Sequence, residues 1–331
     1  MNIRRKFQDF FYNNFYLNHD IYGKIYLPEY NMSCPLTNEI PELYNKDGRK
    51  LELFYWRDIN TAHSPYNKNQ YFFIDRYNFG LDTHFYSHND MLRTMGKPIW
   101  KYGFLNESES IKPDDYKIFD KYKGLEKDFD LIFTYSEYLL NKLPNARFIN
   151  FCCNNWYGTE NGGGIIDPLA YEKKNKMISI LSSDLMMCDM HKYRIDIANK
   201  CKSLNLADTY GTFDGGKRVK ISETLTDYRY SIVIENDIKP YWFTERLISC
   251  FSSMTVPIYC GATKIDKFFN MDGIILISPN DYDNLEKILQ QCTIHDYQSR
   301  IPAIIDNFNR SKKYSCMLDT LYETYLLDRK K

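Results

Sequence analysis

The sequence predicts an α/β protein built as two parallel-sheet domains, and three observations carry that expectation. Short apolar runs rich in β-branched and aromatic residues alternate with segments of helical period along most of the chain, the pattern of βαβ units. The stretch from Tyr228 to Asn270 reads as strand, loop, helix, strand and loop, with polar residues at the carboxyl end of its first strand. At 331 residues the chain is long for one core and suits two domains of ordinary size.

Taken in order, residues up to about 50 carry no clear period. Leu51 to Trp56 (LELFYW) and Tyr71 to Ile74 (YFFI) read as buried strands with a polar loop between them. Asn78 to Asn89 is rich in His and Asn and is expected to line a cleft; His84 and His88 stand four apart, a spacing that on a helix can hold a metal. No third ligand lies nearby, so they read as plain cleft or surface histidines and no metal site is expected. Lys97 to Leu105 is a strand leading into Asn106-Glu107-Ser108-Glu109, and a carboxylate just past a strand end suits a general base. Two solvated acids before a loop are the competing reading.

Pro113 to Lys127 reads as an amphipathic helix or two short ones, opened by Pro113-Asp114-Asp115. Phe129 to Thr134 is a strand, Ser136 is expected to cap a helix through Leu143, and Arg147 to Phe151 is the next strand. Asp128-Phe129-Asp130 has the form of a metal–diphosphate tripeptide but precedes its strand instead of following it. Cys152 to Asp167, with Gly162-Gly163-Gly164, marks a boundary. The expected division is an amino-terminal domain over 1–158, a linker over 159–176, a second domain over 177–315, and a last helix over 316–331 packing back on the first domain.

In the second domain Met177 to Leu181 is a strand and Met190 to Cys201 a helix with Arg194 near its start. Ala207 to Arg218 is a strand and glycine turn, and Lys220 to Tyr228 a helix. Ile274 to Ile277 is a strand, Asp281-Tyr282-Asp283 caps a helix through Cys292, Asp296 to Phe308 is another helix, and Tyr314 to Leu327 is an amphipathic tail.

Composition removes several classes of function. Lys+Arg and Asp+Glu each number 43, so no net field favours nucleic acid or an anionic membrane. Nine Cys form no CxxC pair and no zinc spacing; an odd, scattered set reads as reduced thiols in a cytoplasmic protein. The first twenty residues start basic but are interrupted by Asn, Asp and Gln, so no signal peptide is expected. No run of about 18 apolar residues is present, so no membrane span is expected either. The aromatic share of 16%, with 29 Tyr, suits carbohydrate surfaces and is equally explained by compositional bias.

The Tyr228–Asn270 stretch concentrates the chemistry. Ile232-Val233-Ile234 ends in Glu235-Asn236, and Thr244 opens a helix with Glu245 and Arg246 in its first turn. Val256 to Tyr259 is the following strand, which stops at Gly261. Ligands of open α/β sheets bind at that edge, and helix amino termini favour phosphate, so the expected ligand is an anion such as a nucleotide. An ordinary structural βαβ unit is the alternative.

The same stretch resembles glycosyltransferase family 10, the α-1,3/4-fucosyltransferases, of the soluble bacterial or viral type. The resemblance rests on Glu235-Asn236, then Trp242-Phe243-Thr244-Glu245-Arg246-Leu247, then Val256-Pro257-Ile258-Tyr259-Cys260-Gly261. Arg246 stands where the family usually has Lys, and Trp242 where it usually has Tyr; Arg keeps the charge and grips phosphate through two N–H groups. Trp100 followed by Glu107-Ser108 is similar to the family's Trp strand and Glu-Ser-Pro tripeptide, with Glu109 in place of Pro.

The resemblance implies the GT-B fold, two Rossmann-like domains facing a central cleft. It implies an inverting transfer of fucose from GDP-fucose to a hydroxyl of a glycan acceptor. Glu107 would be the general base, with Glu109 its competitor. Arg194 and Arg246 would neutralise the diphosphate, Glu245 would bond donor hydroxyls, and Glu235, Asn236, Trp242 and Thr244 would complete the donor site. No cofactor is required beyond the donor, and a divalent metal is not implied. The alternatives are a GT-B enzyme using another nucleotide sugar and a non-catalytic sugar- or nucleotide-binding module.

Overall fold

Parallel strands account for both large sheets. The computed structural model describes residues 45–46, 49–58, 70–75, 80–150, 155–158 and 162–329. The amino-terminal segment, Asn78 and the adjacent Cys152 and Cys153 therefore lie outside the described residues. Contacts divide the chain into two units, Met1–Ile149 with Leu318–Lys331, and Asn150–Met317.

The first unit holds a two-residue hairpin, β1 (Asn45–Lys46) with β2 (Arg49–Lys50), and a six-stranded sheet. The sheet strands are β3 (Glu52–Arg57), β4 (Phe72–Asp75), β5 (Thr83–Ser87), β6 (Trp100–Phe104), β7 (Leu131–Thr134) and β8 (Ala146–Phe148). They run parallel in the order β4-β3-β5-β6-β7-β8. Their aromatic side chains pack as a stack, Trp56 on Phe85 with ring centroids 4.5 Å apart and Phe85 on Tyr102 at 4.9 Å.

β5 overturns one expectation. The segment read as a cleft lining is a strand with every residue buried, because Thr, Phe and Tyr favour a pleated, enclosed surface. His84 lies inside it, bonded through Nδ1 to the Tyr86 hydroxyl at 2.8 Å, while His88 follows the strand's end. The two histidines do not share a helix, since His84 is in β5 and His88 opens a 3-10 turn, so the spacing has no geometric basis as a metal site. The Asp128–Asp130 tripeptide is likewise structural at one end: Asp130 Oδ2 accepts the Lys101 N–H at 2.7 Å, fixing the edge of β6.

Of the two forms expected over Pro113–Lys127 the chain takes the two short helices, α1 (Pro113–Tyr116) and α2 (Ile118–Lys121), and α3 (Glu137–Lys142) follows β7. Ser136 holds the cap position of α3, yet its hydroxyl donates to Glu109 Oε1 at 2.6 Å instead of capping.

The second unit is a five-stranded parallel sheet of β9 (Lys176–Leu181), β10 (Asp208–Tyr210), β11 (Tyr228–Ile234), β12 (Val256–Cys260) and β13 (Ile275–Leu276), in the order β10-β9-β11-β12-β13. Its helices are α4 (Asp189–Ser203), α5 (Ile221–Leu225), α6 (Glu245–Ser252), α7 (Leu285–Gln290), α8 (Ile294–Ser299) and α9 (Ile301–Ser311). Period-2 alternation along β11 sends Tyr230, Ile232 and Ile234 into one core layer and Val233 into the other, so both sheet faces are covered. The helix expected over Asp296–Phe308 is two: Pro302 lacks an N–H and starts α9 afresh. Asp281 binds the Ser278 N–H and hydroxyl, each at 2.7 Å, and so closes a 3-10 turn instead of capping α7.

The described residues of the Cys152–Asp167 boundary segment fall in the second unit and are bonded to it. Asn155 bonds the Ser252 hydroxyl at 2.5 Å and the Ser249 hydroxyl at 3.1 Å, and the Gly162 carbonyl accepts the Ser222 N–H at 3.1 Å. A Cβ at Gly162 would collide with the Trp156 carbonyl, so this position needs glycine for close backbone approach.

The chain end, α10 (Met317–Leu321) and a π turn over Tyr322–Leu326, packs within the first unit. Tyr322 stacks on Tyr71 with centroids 4.6 Å apart, Tyr325 donates to the Phe148 carbonyl at 2.7 Å, and Arg329 pairs with Glu52. Leu321 and Leu326 are fully buried. Leu321→Ala should therefore lower stability by about 2–5 kcal/mol, read as a shift in the urea-unfolding midpoint; a shift within error would mean the tail is not docked.

Candidate functional site

In the second sheet the strand order reverses between β9 and β11, and open α/β sheets bind ligands at the carboxyl ends of the strands beside such a reversal. Three pieces of chain meet there: the end of β11, the amino end of α6, and the first turns of α4. α6 forms because Leu247, Ile248 and Phe251 recur on one face and bury against the sheet, while Thr244 supplies the cap.

Glu235 joins the first two pieces. It is buried (1% exposed); Oε1 accepts the Thr244 N–H at 3.0 Å and Oε2 the Thr244 hydroxyl at 2.8 Å. Thr244 Oγ1 in turn accepts the Arg246 N–H at 3.3 Å. Burial, and then the charge of Glu245, push the Glu235 carboxyl up to about 7. Gly261, at the end of β12, allows this approach: a Cβ there would strike the Tyr259 hydroxyl and Glu235.

Asn236 and Trp242 close the intervening loop on itself. The Trp242 indole N–H donates to Asn236 Oδ1 at 2.7 Å, and the Asn236 carbonyl accepts the Cys188 thiol at 3.2 Å. Trp242 is 1% exposed, so it lies beneath the loop and supports it, where the sequence suggested direct contact with a ligand.

Arg194 and Arg246 come together. Arg194, from α4, is buried and donates through Nε to the Ile234 carbonyl at 2.8 Å. Burial first, then the like charge of Arg246, hold its guanidinium below the ordinary value, while Glu235 and Glu245 act in the opposite sense. His191, one turn earlier on α4, feels the same field: burial and then Arg194 and Arg246 push it down to about 4, so it is neutral at pH 7. Sequence reading passed over His191. Its signal was present as an i, i+3 pair with Arg194 on one helix face. Glu245, in the first turn of α6, is also buried.

Beside this cluster, at the ends of β12 and β13, lies an open hollow of about 330 Å³ lined by Ile238, Tyr259, Gly261, Ile277, Ser278 and Asp281. Its walls are largely apolar, with a carboxylate and a hydroxyl at one side.

In the first unit, Glu107 and Glu109 lie on the turn after β6. Glu109 is committed to local structure, accepting from Ser136 at 2.6 Å while its N–H donates to the Tyr135 hydroxyl at 2.7 Å. Glu107 Oε1 accepts the N–H of its neighbour Ser108 at 2.8 Å, and its carbonyl accepts the Tyr116 hydroxyl.

A parallel sheet with a buried arginine, a half-buried one and two buried carboxylates at its switch point makes the second unit a Rossmann-like domain. Residues 171–300 match the sequence model of the carboxyl-terminal domain of glycosyltransferase family 10 (fucosyltransferase). No curated protein matches the chain in sequence. Solved structures similar to it include an α1,3-fucosyltransferase (14% identity, 84% of this chain and 86% of that one, TM-score 0.47). Another is an α1,3-fucosyltransferase with GDP-fucose (14%, 91% and 96%, 0.48). A third is TarM (13%, 72% and 53%, 0.46). Among the described residues no helix is long and apolar enough to cross a membrane.

The raised Glu235 gives a signed pH prediction. Between its ordinary value of 4.5 and about 7, the unfolded chain loses a proton that the folded chain keeps, so its contribution to stability is full below 4.5 and falls as pH rises to 7. The total is about 3 kcal/mol. Urea-unfolding curves from pH 4.5 to 8 should show this decline in the wild type and a flatter profile in Glu235→Gln; parallel profiles would refute it.

Proposed function

We propose that the protein transfers fucose from GDP-fucose to a hydroxyl of a glycan acceptor, inverting the anomeric configuration. The observation that supports this best is the meeting of Arg194 and Arg246 at the switch point of a sheet that matches the fucosyltransferase family. Two guanidinium groups in a partly desolvated site suit a diphosphate, which carries at least two negative charges and accepts bidentate bonds.

In this reading the pyrophosphate lies against Arg194 and Arg246, Glu245 accepts hydrogen bonds from ribose hydroxyls, and the nucleobase enters the hollow beside β12 and β13. Glu235, Asn236, Trp242 and Thr244 act beneath the donor, fixing the loop and the helix start. Glu107 takes the proton of the acceptor hydroxyl as its oxygen forms a bond to the anomeric carbon. The bond from that carbon to the β-phosphate oxygen breaks on the opposite face, and the electron pair leaves with GDP. The arginines stabilise the charge that develops on the diphosphate, a role a divalent cation fills in other phosphate chemistry.

Three measurements test the reading. Thermal-shift titration with GDP, UDP and dTDP should show stabilisation by GDP, and stabilisation only by a non-GDP nucleotide would remove the fucose donor. Arg246→Ala should weaken GDP binding by about 2 kcal/mol, roughly thirtyfold, as a charge-assisted pair is lost; unchanged affinity would displace the diphosphate from this site. Glu107→Gln should lower turnover about 100-fold or more while GDP affinity stays as it was, and GDP release from GDP-fucose should survive EDTA.

A further inference from the structure

The turn that carries Glu107 has no strand ladder to hold it, yet a general base must be oriented to within about 0.5 Å. Its position is set by side chains from α1 and from the end of β5. His88 is the centre of that arrangement. It follows β5 beside β3, where the order of the first sheet reverses, and it is 1% exposed. Its φ of 53° lies in the left-handed region, which non-glycine residues rarely adopt. Strain of this kind persists only where the surroundings impose it, and it gathers at functional sites.

Both ring nitrogens of His88 face an acceptor, Nε2 in a hydrogen bond and Nδ1 within ion-pair distance without hydrogen-bond alignment. Nδ1 stands 3.1 Å from Asp115 Oδ2, and Nε2 pairs with Asn106 Oδ1 at 2.6 Å. Asn106 is the residue immediately before Glu107. Asp115 is itself held from the far side by the Asn89 amide. Its neighbour on α1, Tyr116, donates its hydroxyl to the Glu107 carbonyl. One short helix therefore reaches the Glu107 turn by two arms, directly through Tyr116 and through Asp115 and His88. The turn that begins at His88 is braced from β3 by a buried Arg57–Asp90 pair at 3.0 Å.

We propose that His88, clamped between Asp115 and Asn106, is a positioning residue that sets the orientation of Glu107. The inference rests on the reading of Glu107 as the base. A purely structural role would affect folding; a positioning role acts on turnover only while there is a carboxylate to position.

The test is a double-mutant cycle on the full chain, with GDP-fucose as probe and water as acceptor, turnover being read as GDP release. His88→Asn accepts the left-handed backbone but cannot span both partners. It should lower kcat about 10- to 100-fold and leave GDP affinity unchanged. Placed on Glu107→Gln, it should lower the residual rate no further. Asp115→Asn and Tyr116→Phe, which loosen one arm each, should give smaller losses that also vanish in the Glu107→Gln background. They decide the matter should His88→Asn fail to fold.

An equal fractional loss in both backgrounds, or full kcat in His88→Asn with Glu107→Gln impaired, overturns the positioning role alone. Wild-type turnover in Glu107→Gln removes the base assignment, and this inference with it.

Discussion

A single buried carboxylate organises the second unit's site. Glu235 ends β11 and takes both the N–H and the hydroxyl of Thr244, so the strand end and the helix start become one rigid piece. A carboxylate at a helix amino terminus is favoured by the helix dipole, yet burial works against its charge. The carboxyl rising to about 7 indicates that burial is the larger influence. The arrangement is kept at that cost, which is expected where geometry is needed for function more than for stability.

The bridge also decides how an anion would be held. Free N–H groups at a helix start are the usual phosphate cradle, but here Thr244 and Glu235 already use much of that turn. Side-chain cations are left with the task. Arg194 spends its Nε on a carbonyl, which satisfies the donor without neutralising the charge. Arg246 stands close enough to disfavour the charge on Arg194. Glu235 and Glu245 offset part of that repulsion, and the neutral state of His191 avoids adding to it. In the proposed reading a diphosphate complements this pair, since its charges would meet both arginines at once.

Much of this was legible in the sequence, and the parts that were not share a cause. β11, α6 and β12 could be read because period, cap and strand end agree locally: an apolar β-branched run, Thr244 before a helical stripe, and Gly261 at the stop. Arg194 and Glu107 could be placed only through family resemblance, since nothing local distinguishes them from a solvated Arg or Glu. Trp242 entered the donor site only through its place in the motif; that it is buried, with its indole N–H on Asn236 six residues away, no window of sequence shows. His84 and His88, read as cleft or surface histidines, are buried, and their i, i+4 spacing carries meaning only if the segment is helical. Thr83–Ser87 is a strand whose register is fixed by neighbours on both sides, β3 and β6. Tertiary partners, absent from any window of sequence, made each of these decisions.

The two units hold their candidate groups in different ways, and the difference follows from where each group sits. In the second, the cations and carboxylates stand on helix starts and a strand end, so backbone hydrogen bonding fixes them and Thr244 and Glu235 need only join the pieces. In the first, Glu107 stands on an irregular turn, where backbone bonding alone leaves orientation loose. Side chains must then do the positioning, and they are found there: Tyr116 on the carbonyl, Ser136 and Tyr135 on the neighbouring Glu109, His88 on Asn106. Packing so many polar contacts around one turn is costly unless each is satisfied, because every buried polar group left without a partner loses about 1–3 kcal/mol. A turn that only connected β6 to α1 could be made from exposed polar residues at no such cost. That these contacts converge on the residues flanking Glu107 is the physical reason to regard the turn as more than a connection.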